Sequence, residues 1–222
     1  MCFTPGISIS TALIEFAIAV FLLVVYRKTV VVKFFVALLV FLGLYQFTEF
    51  MLCTTNNVQL WVRLGFLAYT FLPAIGLHFV LRYTKKNFNI LMIYIPVIIF
   101  SLIALFTKNF SSLAICGKFF VSSKLSINPV VLVLYWLYYT VYAFVSAFIL
   151  LRAAMIAKNA LKRQVYLMII MAEFLSIFPA LILLVLFPSL RLIIFPSVYC
   201  QFAIIFAFIA PICVYLDNKI RK

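Results

Sequence analysis

Acidic side chains are nearly missing from this chain, which has 4 Asp and Glu against 18 Lys and Arg in 222 residues. Histidine occurs once, as His78, and the five cysteines are scattered singly, so no zinc-type ligand spacing exists. The sequence also lacks a Gly-rich phosphate loop, a Gly-x-Ser-x-Gly elbow and a His-Glu-x-x-His helix. These absences remove the usual supports of nucleotide, hydrolase and metalloprotease chemistry. No cofactor, no metal and no catalytic group is expected, and an intramembrane enzyme ranks last because no nucleophile and base fall at one depth. Internal repeats and low-complexity segments are absent too.

What the chain has is apolar length. At 68% hydrophobic residues it lies far from soluble domains, where roughly 45–50% are apolar. Seven runs can each cross a hydrocarbon core about 30 Å thick, which takes about 20 apolar residues per helix. They are Ile7 to Tyr26, Phe34 to Cys53, Leu60 to Tyr83, Ile90 to Phe106, Pro129 to Leu151, Val165 to Phe187 and Leu192 to Leu216. None alternates like a barrel strand, so all seven are helices, because only helices or closed barrels satisfy their backbone in lipid. The expected fold class is all-α: a polytopic seven-transmembrane-helix bundle, residues 1–222 forming a single domain. The first run has no charged leader or small-residue cleavage site and is read as a retained helix.

The net charge of +14 is placed by these runs. Thirteen basic residues fall on one side: Arg27, Lys28, Lys33, Arg82, Lys85, Lys86, Arg152, Lys158, Lys162, Arg163, Lys219, Arg221 and Lys222. Five fall on the other: Arg63, Lys108, Lys118, Lys124 and Arg191. Basic loops stay cytoplasmic, which puts the N-terminus outside and the C-terminus inside. The same clustering beside spans points to membrane lipids, and not nucleic acid, as the partner of the charge. The long outer connection from Thr107 to Asn128 holds Cys116 and is read as a hairpin or a lid. Cys53 falls on the same side, which leaves a disulfide or two free thiols open.

Three of the four acids, Glu15, Glu49 and Glu173, lie inside spans, where an ionisable group costs roughly 2.5–3.5 kcal/mol on insertion scales and turns toward a partner or cavity. Glu49 lies roughly 6 Å below the outer end of the second span, with Gln46 on the same face, and Arg63 is at similar depth in the third. The group is either an ion pair ordering the first outer turn or a ligand or ion site that Glu15 joins. Glu173 and His78 share the inner half, where a contact between them would relay protons or sense pH. Prolines Pro73, Pro96, Pro179, Pro196 and Pro211 lie within spans and each frees a carbonyl. The aromatic run Tyr135, Trp136, Tyr138, Tyr139 and Tyr142 begins as an interfacial belt, with Tyr139 and Tyr142 deep enough to line a pocket.

Several of these residues form one series: Glu49; Arg63, Gly65 and Pro73; His78 and Arg82-Tyr83; Arg152; Arg163-Gln164; and Ala210-Pro211 with Tyr215. In this series the chain resembles the seven-helix N-terminal sensor region of bacterial histidine kinases. The resemblance implies a module in the bacterial inner (cytoplasmic) membrane that perceives a signal and passes it to a cytoplasmic output. Leu216 is followed by too few residues for such an output, and His78 inside a span is no phosphoacceptor. The expected function is a non-catalytic sensor that binds a small hydrophobic ligand or lipid at Glu15, Gln46, Glu49, Arg63, Glu173 and His78. It would signal to a separate cytoplasmic protein at the loop from Arg152 to Gln164. The alternative is a small proton-coupled transporter using the three glutamates.

Overall fold

The computed structural model describes residues 4–26, 29–116, 121–186 and 204–221. Among these, seven helices follow the seven apolar runs: α1 (Thr4–Tyr26), α2 (Val30–Thr54), α3 (Val58–Tyr83), α4 (Ile90–Phe106), α5 (Pro129–Ile156), α6 (Ala160–Leu186) and α7 (Ile204–Arg221). Four of them, α1, α2, α3 and α5, are long and apolar enough to cross a membrane, and α4 is a shorter apolar helix. The helices overrun the apolar runs at several ends. Lys33 lies in the first turn of α2, Arg152 in the last turns of α5 and Lys162 in the first turn of α6. Backbone hydrogen bonding continues past the hydrocarbon edge, whereas hydropathy stops at the first charge. Arg27, Lys28, Lys118, Phe187, Arg191, residues 192–203 of the seventh run with Pro196, and Lys222 lie outside the described residues.

The helix starts are set locally. Asn57, Asn89, Asn128 and Asn159 each precede a helix and accept a backbone N–H with the side-chain oxygen, from Leu60, Leu91, Val130 and Lys162. Thr29 does the same for Val32 at the start of α2. Each cap satisfies one of the donors that a helix leaves unpaired in its first turn. Pro129 fits behind Asn128 because its missing N–H falls at such a position.

Helices α1, α2, α3, α5, α6 and α7 pack as neighbours in that order, and α7 closes the ring against α1 and α2. Helix α4 packs outside it on α3. Two glycines let backbones approach. A methyl at Gly43 would lie 2.8 Å from the Phe16 ring, and one at Gly65 would lie 2.7 Å from the Thr48 hydroxyl.

The long connection is the hairpin alternative. Strands β1 (Ser111–Cys116) and β2 (Val121–Leu125) pair antiparallel, with a register irregularity between Ser111 and Leu113. Cys53 and Cys116 form a disulfide that fastens β1 to the end of α2. Gln59, in the first turn of α3, bonds both ways with the Ser111 backbone. Phe110, fully buried, inserts its ring beside Phe66, 5.1 Å between centroids. The hairpin is thus attached to both α2 and α3, and its end of the bundle is called the hairpin end below. The opposite end, carrying Arg82, Lys85, Lys86, Arg152, Lys158, Lys162 and Lys219, is the basic end.

Candidate functional site

The polar residues of the spans separate into three places. The first lies between α1 and α2 near the hairpin end. Ser8, Thr11 and Glu15 recur at helical spacing on α1, and Gln46 and Glu49 on α2; all five are buried, with Glu15 and Gln46 at 0% exposure. Ser8 Oγ donates to Glu49 Oε2 at 3.3 Å, and Thr11 turns its hydroxyl to the Ile7 carbonyl. The Ser8–Glu49 contact and the Phe16–Gly43 approach fix an antiparallel register. Gln46 then falls level with Ala12, and Glu15 lies about 3–6 Å deeper at 1.5 Å per residue. Among the described residues, neither carboxyl oxygen of Glu15 and neither amide atom of Gln46 has a hydrogen-bond partner. An unsatisfied buried polar group costs about 1–3 kcal/mol, so two such side chains on one interface are unusual in a finished core.

Arg63 does not join them. Its guanidinium donates to the carbonyls of Leu105 at 3.3 Å and Thr107 at 2.7 Å, at the C-terminus of α4. A cation there meets the negative end of the helix dipole and satisfies carbonyls that the last turn leaves open. The expected pairing with Glu49 is replaced because the two side chains leave their helices in different directions at the same depth. Among the described residues, Ser8 is the one whose hydrogen bond to Glu49 is seen.

The second place is a cavity of about 80 Å³ inside the helix ring, where Glu173 and Ser176 of α6 face Tyr139 and Ser146 of α5 across Pro73 and Gly76 of α3. A methyl added at Gly76 would touch nothing within 4 Å, consistent with open space beside the proline. The volume exceeds the roughly 10–15 Å³ that holds a water and falls short of the roughly 150 Å³ engineered cavity that holds benzene. As it stands it suits a few waters, not a hydrophobic ligand. Glu173 does not meet His78. The imidazole Nδ1 lies 3.1 Å from the Tyr94 hydroxyl of α4, and the ring packs edge-on against Phe34, at 4.8 Å. His78 therefore ties α3 to α4 and α2 on the far side of α3 from the cavity.

The third place is the tyrosine face of α5. Tyr138 donates to the Thr70 carbonyl at 2.8 Å, and Tyr142 to the carbonyls of Ile93 at 3.0 Å and Met92 at 3.5 Å. Thr70 stands three residues before Pro73. Ile93 and Met92 stand three and four before Pro96. A proline inside a helix leaves the carbonyl four residues back without its donor and disturbs the turn around it. In lipid only a neighbouring side chain or water can answer. Tyr142 reaches the Met92 carbonyl that Pro96 frees, and each tyrosine bonds the carbonyl one residue further on, so both tie α5 to the proline turns of α3 and α4. Tyr139 lines the cavity as expected, while Tyr142 is committed to α4.

These spans and their buried polar contacts define a polytopic helical membrane protein. Residues 7–210 match the family described as the N-terminal seven-transmembrane region of histidine kinase, and the chain belongs to that family. The family is a membrane sensor region and not a catalytic domain. No curated protein and no solved structure matches the chain.

Proposed function

We propose that residues 1–222 act as one non-catalytic sensor in a bacterial inner (cytoplasmic) membrane, with the hairpin end outside and the basic end inside. A small hydrophobic ligand or lipid enters between α1 and α2 and places its polar end at Glu15, Gln46 and Glu49. The occupied bundle then signals to a separate cytoplasmic protein at the loop from Arg152 to Gln164. The observation that carries this reading is the pair of fully buried side chains, Glu15 and Gln46, whose polar atoms lack hydrogen-bond partners among the described residues. Ligand sites are mostly apolar with a few placed polar groups, and a ligand that satisfies those groups gains what the empty site forgoes. Signalling requires that the ligand bind one of two bundle arrangements more tightly than the other.

Native mass spectrometry of the gently purified protein tests the site. A small molecule retained by the wild type and lost in both Gln46→Leu and Glu15→Leu supports it. Retention that ignores both changes, or no retained molecule, reduces the pair to a packing defect.

The cavity favours a second reading, in which Glu173 passes protons through a transporter. Its carboxyl borders space fit for water. Proteoliposome flux that falls on Glu173→Gln would select transport; a sensor shows no flux in either protein.

A further inference from the structure

At the basic end a groove of about 640 Å³ opens between the end of α3, the end of α5 and the start of α6. Four cationic side chains line it: Lys86 after α3, Arg152 on α5, Lys158 in the connecting turn and Lys162 on α6. Among the described residues no acidic one lines it. Four like charges around one concavity repel one another unless an anion sits among them, and a concave wall of low dielectric concentrates their field. The start of α6 at Asn159 opens into the same groove and adds its positive dipole end.

The remaining wall is apolar. Ile149, Ala153 and Ile156 line the groove, and Ile156 is 72% exposed with Met155 beside it at 71%. That surface runs onto the lipid-facing side of α5, where Phe148 and Leu151 are also exposed. A free anion has no use for such a wall. An amphiphile with an anionic head and an acyl chain fits both parts.

We propose that this groove binds the phosphate headgroup of an anionic phospholipid, with Lys86, Arg152, Lys158 and Lys162 around the phosphate and the acyl chain against Ile156. The occupant also reaches a contact chain that joins three helices. Lys162 Nζ lies 5.8 Å from the centre of the Tyr166 ring, and Tyr166 packs edge-on against Tyr83 at 5.3 Å. Tyr83 in turn donates to Asp217 of α7 at 3.2 Å. A headgroup that draws Lys162 off the Tyr166 face therefore changes the packing that links α6, α3 and α7. Headgroup binding itself does not depend on the sensor reading and is measured without any signal.

The protein is placed in phosphatidylcholine nanodiscs containing a minority of phosphatidylglycerol, and the lipids it retains are counted after gentle release. Wild type should retain phosphatidylglycerol in preference to phosphatidylcholine. Arg152→Gln with Lys162→Gln should weaken that retention about thirtyfold, the loss expected for two juxtamembrane basic contacts. Ile156→Gln keeps every charge and should weaken the lipid while leaving glycerol phosphate, added as a soluble probe, unchanged. Inorganic phosphate should displace the lipid only at far higher concentration. Equal retention by wild type and the double variant would overturn the proposal, as would equal preference for the two lipids. Displacement by inorganic phosphate at lipid-like concentration would overturn it in favour of a soluble anion site. Preference for a polyglutamate peptide over phosphatidylglycerol would overturn it in favour of an acidic protein partner.

Discussion

Two interfaces of the same bundle treat buried polar atoms in opposite ways. Where α5 meets α3 and α4, Tyr135, Tyr138 and Tyr142 have partners, and two of them answer carbonyls beside Pro73 and Pro96. Where α1 meets α2, Glu15 and Gln46 are fully buried and find no hydrogen-bond partner among the described residues. Prolines break helices and so create a need inside the first interface, which the tyrosines meet. The second interface has intact helices and carries polar groups that its own backbone does not need. Polar groups bonded across an interface belong to the fold, while the open pair between α1 and α2 carries the proposed ligand site.

The largest effect expected on this contrast comes from releasing the hairpin. Cys53→Ser removes a disulfide whose cysteines are 63 residues apart, and should lower unfolding stability by about 2–4 kcal/mol in a detergent titration. The loss should fall on the tyrosine interface, because the ring lying against Phe66 belongs to Phe110, beside the hairpin. Loss of stability with Tyr138 hydrogen exchange unchanged would show that the hairpin and the mended interface are independent. Tyr138→Phe is the next largest. It removes the hydrogen bond that α5 gives the Thr70 carbonyl and should cost about 1–2 kcal/mol, the range for such contacts between membrane helices. A neutral result would mean that water mends α3 equally well, and the contrast would weaken.

The opposite sign is expected at the other interface. Gln46→Leu removes an unsatisfied amide and should raise the stability of ligand-free protein by up to about 1 kcal/mol. A clear loss of stability there would show that Gln46 is already satisfied, and the contrast would collapse. Gly76→Ala is the smallest change. Its methyl meets only cavity space and the helix gains propensity, so thermal unfolding should rise by an amount equivalent to about 0.5–1 kcal/mol. If transport were the function, the same methyl would reduce flux.

The seven spans were legible because charge interrupts apolar runs at membrane-like spacing, and that signal needs no tertiary information. The asparagines at 57, 89, 128 and 159 carry a second start signal that hydropathy does not weigh. The sites were legible only in depth. Counting residues along a span gives axial level, and on that basis Glu49 meets Arg63 and Glu173 meets His78. Direction around each helix decides otherwise: Arg63 turns to the end of α4, His78 to Tyr94, and Glu173 into the cavity. The match of Tyr138 and Tyr142 to carbonyls three residues before two prolines on other helices has no local sequence signature. Ser8 was likewise invisible, since a serine near a span end carries no mark of the glutamate opposite.

Helix α4 has 17 residues, a length of about 26 Å beside a hydrocarbon layer of about 30 Å. Its outer face is nonetheless apolar along its length, with Leu91, Ile95, Ile98, Leu102 and Leu105 exposed. Lipid next to it must thin by several ångströms to keep that face covered, at a fraction of a kcal/mol per ångström. The bundle is therefore uneven toward its surroundings: long helices such as α2 and α5 fit the layer, and α4 draws it in where it packs on α3. A protein with such a flank prefers thinner membrane, and two copies side by side at α4 would share one dimple instead of making two.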